Sequence, residues 1–199
     1  MRDTDSALGR LSLQAKPITL KDLARLHGHA CDGLVISWIE LHAALKELFP
    51  QGVVDRTDLR VLSKNGPCWV DAAAWMTGAR VNHGTLVLDN TVGNGFILEQ
   101  VSTGHAIRVG LRPGVFPAEL ADRERSIRAR RAQGEEVRPE EIDSAEALAS
   151  SLSRSMLNTP PDQAVEMERL RDFTFPAESA SPLAPRGDII NRDVARTPH

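Results

Sequence analysis

Two histidines and a cysteine fall within five residues, His27-Gly28-His29-Ala30-Cys31, in a chain that holds six histidines and two cysteines in all. Imidazole and thiolate together suit zinc, copper or iron better than magnesium or calcium, which prefer oxygen donors. In an extended or turned segment, positions i, i+2 and i+4 point to one side, so His27, His29 and Cys31 can converge on one ion without a helix. A single histidine beside an apolar helix is ordinarily a core or surface residue, and a single cysteine ordinarily a small buried hydrophobe. Three soft donors packed between glycines make a stronger case for a site.

The other cysteine, Cys68, stands in the same kind of place. It opens a helix-like run directly after Gly66-Pro67, as Cys31 opens the run that starts at Gly33. The positive end of a helix dipole favours a thiolate, and two helix N-termini aimed at one cavity would bring Cys31 and Cys68 together. Asp71, one turn further on, is placed either to orient a histidine or simply to offset the dipole as a first-turn acid. Three chemistries stay open on these residues. The first is a transition-metal site, most naturally zinc, with a position left for a small-molecule ligand. The second is a metal-free thiol enzyme, with Cys31 or Cys68 as nucleophile beside a histidine base, or the two as a redox pair. The third is a haem or other tetrapyrrole gripped by His29 or Cys31.

The elements that must position these residues can be read around them. Thr19 followed by Asp22 resembles a capping box, which predicts a short helix from Leu20 to about Leu26. Gly28 permits a sharp turn. A second helix is expected from about Gly33 to Leu48, apolar around most of its circumference and so central and buried. "LRVLS" (59–63) reads as a strand and "CWVDAAAWMTG" (68–78) as an Ala-rich helix. "TLVLD", "GFILEQV" and "HAIRVGL" read as three further strands joined by short turns, as in an antiparallel meander. Beyond Pro113-Gly114 a charged helix is expected over 117–133. Another starts at Pro139, with an apolar stripe of Ile142, Ala145, Leu148, Ala149, Leu152 and Met156. The expected fold class is α+β: a long central helix and shorter helices on a small antiparallel sheet, with a helical C-terminal extension. The expected organisation is a loose leader (1–17), a metal-binding α+β domain (18–114), the charged helical extension (115–158) and a mostly irregular or disordered tail (159–199).

On these residues the chain resembles the FmdE-like family of formylmethanofuran dehydrogenase components. The family's H-G-H-x-C-P-G segment is matched by His27-Gly28-His29-Ala30-Cys31-Asp32-Gly33, and its C-x-x-D-A segment by Cys68-Trp69-Val70-Asp71-Ala72. The likeness covers roughly residues 20 to 112. It implies a small α+β domain that binds a metal, usually zinc, near these Cys and His residues and that forms a homodimer. The implied ligands are His27, His29, Cys31 and Cys68, with Asp32 and Asp71 behind them. The departures are informative. Asp32 replaces a proline and puts an acid beside the site. Ala79 replaces the cysteine of T-G-C. In Asn82-His83-Gly84-Thr85-Leu86 a family lysine has become His83, which makes His83 a further candidate ligand or else a turn histidine facing solvent. Gly93-Asn94 stands where Gly-Lys is usual. No CxxC occurs, so the C-terminal zinc finger of some members is not expected. The extension after 114 has no counterpart in this resemblance; packing across a dimer or docking on a partner is the expectation for it.

Composition narrows the function classes. Hydrophobic residues make up 41% and charged residues 26% of 199, which suits a folded domain. A net charge of −3 gives no electrostatic case for nucleic acid or an anionic membrane, and 4% aromatics without tyrosine make a base-stacking platform unattractive. The start of the chain has no apolar h-region, no run approaches a membrane span, and two cysteines make no disulfide scaffold; the expected compartment is the cytoplasm, with both thiols reduced. The chain has neither a molybdopterin-sized domain nor an iron–sulfur cysteine pattern, so at most an accessory role beside a molybdenum or tungsten oxidoreductase is implied by the resemblance.

Overall fold

A computed structural model describes residues 1–5 and 10–176. The segment 177–199, most of the tail expected to be disordered, lies outside the described residues, as do positions 6–9 of the leader.

Helix α1 (Leu20–His27) begins with a reciprocal cap: the Asp22 amide donates to Thr19 Oγ1, and the Thr19 amide donates to Asp22 Oδ2 at 3.0 Å. It ends at Gly28, whose φ of 99° lets the chain reverse without steric penalty. Helix α2 (Asp32–Leu48) starts four residues later and is the buried centre of the molecule, with Leu34, Val35, Ile36, Leu41 and Leu45 all removed from solvent. Strand β1 (Leu59–Ser63) leads into helix α3 (Pro67–Thr77), which has proline at its first position and ends at Gly78.

The strands β2 (Leu86–Leu88), β3 (Gly95–Gln100), β4 (His105–Leu111) and β5 (Val165–Leu170) complete a five-stranded sheet in the order β2-β1-β3-β4-β5. The sheet is mixed, which corrects the expected antiparallel meander. Val61 sits opposite Leu86 in a parallel pair, because α3 carries the chain back along the sheet before β2 begins. β3 then takes the other edge of β1, antiparallel, with Val61 opposite Leu98, and only β3–β4 is the expected hairpin. β5 was not foreseen; it pairs antiparallel with β4, Val109 opposite Met167. Its sequence, VEMERL, buries little beyond Val165 and is mostly charged, so it carries no apolar alternation to betray it.

Helices α4 (Ala118–Ala132) and α5 (Pro139–Asn158) fold back over α2, and the one-turn helix α6 (Pro161–Ala164) hands the chain to β5. Leu120, Leu152 and Met156 belong to the same buried cluster as Leu34, Val61, Phe96 and Ile107. The extension therefore packs on its own chain. The opposite face of the sheet holds a smaller cluster, Leu62, Val87 and Ile97, covered by Phe175 just after β5. The start of the leader lies alongside 54–56: the Arg2 amide donates to the Val54 carbonyl and Arg56 pairs with Asp3 at 2.7 Å. No helix among the described residues is long and apolar enough to cross a membrane.

Candidate metal centre

Three helix ends meet at one point. His27 is the last residue of α1, Cys31 caps the front of α2, and Cys68 is the second residue of α3. Cys31 Sγ lies 3.4 Å from Cys68 Sγ; His27 Nε2 is 3.8 Å from Cys31 Sγ and 3.6 Å from Cys68 Sγ. Both cysteines are free thiols. Among the described residues, these are the three side chains whose donor atoms gather closely enough to share an ion.

The triangle fits a tetrahedral ion. With metal–sulfur bonds near 2.3 Å and metal–nitrogen bonds near 2.05 Å, two edges of a tetrahedron are about 3.6 Å and the sulfur–sulfur edge about 3.8 Å. The observed edges differ from these by a few tenths of an ångström. Two soft sulfurs and one imidazole make three ligands, leaving a fourth position for a small molecule.

Asp71 fixes the histidine. Its Oδ2 accepts a hydrogen bond from His27 Nδ1 at 2.7 Å, and a carboxylate can only accept, so the Nδ1 proton is committed and Nε2 turns its lone pair toward the sulfurs. The His27 side chain is 5% exposed. That burial works against the imidazolium, but the bonds to Asp71 and Cys31 outweigh it and raise the pKa of His27.

The thiols behave as a pair. A hydrogen bond from Cys68, against the cost of burial and helped by the Leu34 amide and His27, lowers Cys31 to about 5. The same hydrogen bond, together with burial and the negative charge on Cys31, raises Cys68. One negative charge is thus shared by two sulfurs and resides on Cys31, at the helix front.

Gly33 makes this closeness possible. A Cβ built there would stand 3.0 Å from Cys68 Sγ and 3.3 Å from the Trp69 ring. The first turn of α2 can therefore press against the first turn of α3 only because position 33 has no side chain.

Of the residues foreseen as ligands, the structure brings His27, Cys31 and Cys68 together. His29 stays outside this group; its exposed ring leans on that of His27, centroids 4.9 Å apart. Convergence at i, i+2 and i+4 requires one extended segment, whereas α1 runs through His27 and the turn at Gly28 sends His29 elsewhere. His83 ends a short 3-10 turn, Val81–His83, ahead of β2 and is also outside the group. Ala79, at the lost cysteine position, is fully buried. Asp32 opens α2 beside the thiols, and its charge helps to raise Cys68.

Glu40 was missed. It is fully buried in α2 with no hydrogen-bond partner for either carboxyl oxygen, and burial pushes its pKa up to about 8. The signal was a lone acid inside an otherwise apolar helix.

No curated protein matches the chain. A family model described as "FmdE, Molybdenum formylmethanofuran dehydrogenase operon" matches residues 26–166, which takes in all three clustered side chains and runs on through α4, α5 and the start of β5. With more than half of its length under that match and the cluster at its heart, the chain belongs to the FmdE family.

Proposed function

We propose that this protein is a transition-metal-binding domain in which His27, Cys31 and Cys68 hold one ion, most naturally zinc, with a fourth position open to a small molecule. The triangle of donor atoms carries this reading, since its edges match what a tetrahedral ion needs. Bound there, the ion would supply a Lewis acid for an oxygen- or sulfur-bearing ligand. The chain's own contributions are distinct from that. Cys31 and Cys68 provide negative charge, His27 presents a fixed lone pair, Asp71 holds the ring, and the apolar first turns of α2 and α3 limit the access of water. Whether the ion serves catalysis or an accessory task beside a larger oxidoreductase follows from its ligand. A homodimer in the cytoplasm completes the proposal; two free thiols suit a reducing compartment. Sedimentation at micromolar concentration tests the dimer, and a monomer mass would remove it.

Metal analysis of the protein as purified, combined with alkylation of thiols before and after chelation, tests the site. Stoichiometric metal that masks both cysteines is expected. Cys31→Ser and Cys68→Ser should each lose metal and keep the fold; full occupancy in both variants would overturn the assignment.

The 3.4 Å separation of the two sulfurs favours one second reading, a metal-free thiol pair. In that case the protein as purified carries no metal and both cysteines alkylate without chelator.

A further inference from the structure

Cys68 has a second face. It lines a cleft of about 850 Å³ between the first turns of α2 and α3, the loop after β4, and α4. That volume lies within the range of small-molecule sites. Its apolar wall is formed by Ile36, Trp69, Leu111 and Phe116.

The cations at the end of the cleft are unevenly balanced. Arg128 is paired with Glu124 at 2.6 Å, and Arg125 with Asp122 at 3.2 Å. Lys64 and Arg112 form no ion pair among the described residues: the Lys64 ammonium sits 3.7 Å above the centre of the Trp69 ring and donates to Asn94 Oδ1, and Arg112 donates to the Asp162 carbonyl. The topology puts them side by side. Lys64 follows β1, Asn94 precedes β3 and Arg112 follows β4, all at one end of the sheet. The nearest buried acid does not cancel the lysine, because Glu40 is held protonated near neutral pH. Glu40 and the Trp69 indole N–H lie close together behind the cleft wall without reaching hydrogen-bond geometry, so the floor holds two buried polar groups that a bound ligand or its waters can satisfy.

We propose that this cleft binds a small organic molecule with an apolar body and an oxyanion, carboxylate or phosphate, seated on Lys64 and Arg112, with its opposite end directed at Cys68. The orientation rests on the metal reading above; the anion end does not. An ammonium on an aromatic face is already partly desolvated, and a neutral amide is its direct partner, so an oxyanion gains a charge-assisted bond there at little cost. Asp32, at the Cys68 end, disfavours the reverse orientation by repelling the anion.

The test uses the full chain as purified, titrated with phenylacetate, phenyl phosphate and the neutral phenylacetamide, followed by tryptophan fluorescence and calorimetry. At least one of the anions should bind about tenfold or more tighter than the amide, and which one does names the oxyanion. Lys64→Met and Arg112→Gln should each weaken that anion about tenfold without changing melting temperature or metal content. Equal binding of the amide, no binding of either anion, or wild-type affinity in both variants would overturn the proposal. Metal content measured on the same samples separates the two readings. Anion binding through Lys64 in a metal-free protein sinks the metal site alone, and stoichiometric metal without anion binding sinks the cleft alone.

Discussion

Asp71 and His27 are forty-four positions apart in the chain, yet Oδ2 of one lies 2.7 Å from Nδ1 of the other. That bond selects the imidazole tautomer that faces the thiols. Asp71→Ala should therefore lower metal affinity by roughly tenfold to a hundredfold, read by competition with a chromogenic chelator, while the fold stays intact. Unchanged affinity would show that His27 is held by packing alone.

Gly33→Ala pits two effects against each other. Alanine is favoured over glycine in a helix by up to about 1 kcal/mol. Against that, the new methyl meets Cys68 Sγ at 3.0 Å and the Trp69 ring at 3.3 Å, where one or both must shift. The expected outcome is a variant that melts near the wild-type temperature and has lost most of its metal. Retention of stoichiometric metal would mean that α3 can slide without opening the triangle.

Glu40 gives stability a pH dependence whose sign is fixed. Its pKa in the folded chain is near 8, above the ordinary carboxyl value of 4.5. Between those values the unfolded chain has released the proton and the folded chain has kept it, so stability is full below about 4.5 and falls as pH rises toward 8. The limiting slope is about 1.4 kcal/mol per pH unit. Glu40→Gln should flatten this part of a urea-denaturation pH profile and exceed the wild type at pH 8; a parallel profile would place Glu40's proton elsewhere.

In metal-free protein the two thiols should differ in reactivity. Cys31 carries the shared charge, with a pKa near 5, and Cys68 is raised. Iodoacetamide at pH 6.5 should label Cys31 first, and mass mapping would show it. Labelling of Cys68 first would reverse the direction of the hydrogen bond between them.

Much of this arrangement is legible in the residues themselves. Caps and breakers are local, so Thr19, Gly28, Pro67 and Gly78 marked the ends of α1 and α3, and both cysteines were placed at helix fronts. The shared location of Cys31 and Cys68 pointed to their meeting, and Asp71 to the histidine it orients. What stayed hidden depends on partners remote in the chain. The parallel pairing of β1 with β2 is decided by where α3 sends the chain, and β5 is a strand because β4 has a free edge, although its own sequence is charged. His29 looked as good a ligand as His27 until the φ of Gly28 aimed it away. The cleft beside Cys68 draws on five separate segments, none of which has a motif of its own.

The cluster joins the tail of an eight-residue helix to the fronts of two longer ones. An isolated helix of that length has little intrinsic stability. A captured ion would act as a rivet through all three, and α1 could fray only after release of its cargo. Chelation should therefore speed amide exchange across 20–27 first, while the central strands keep their protection, coupling occupancy of the site to the order of the segment that guards it.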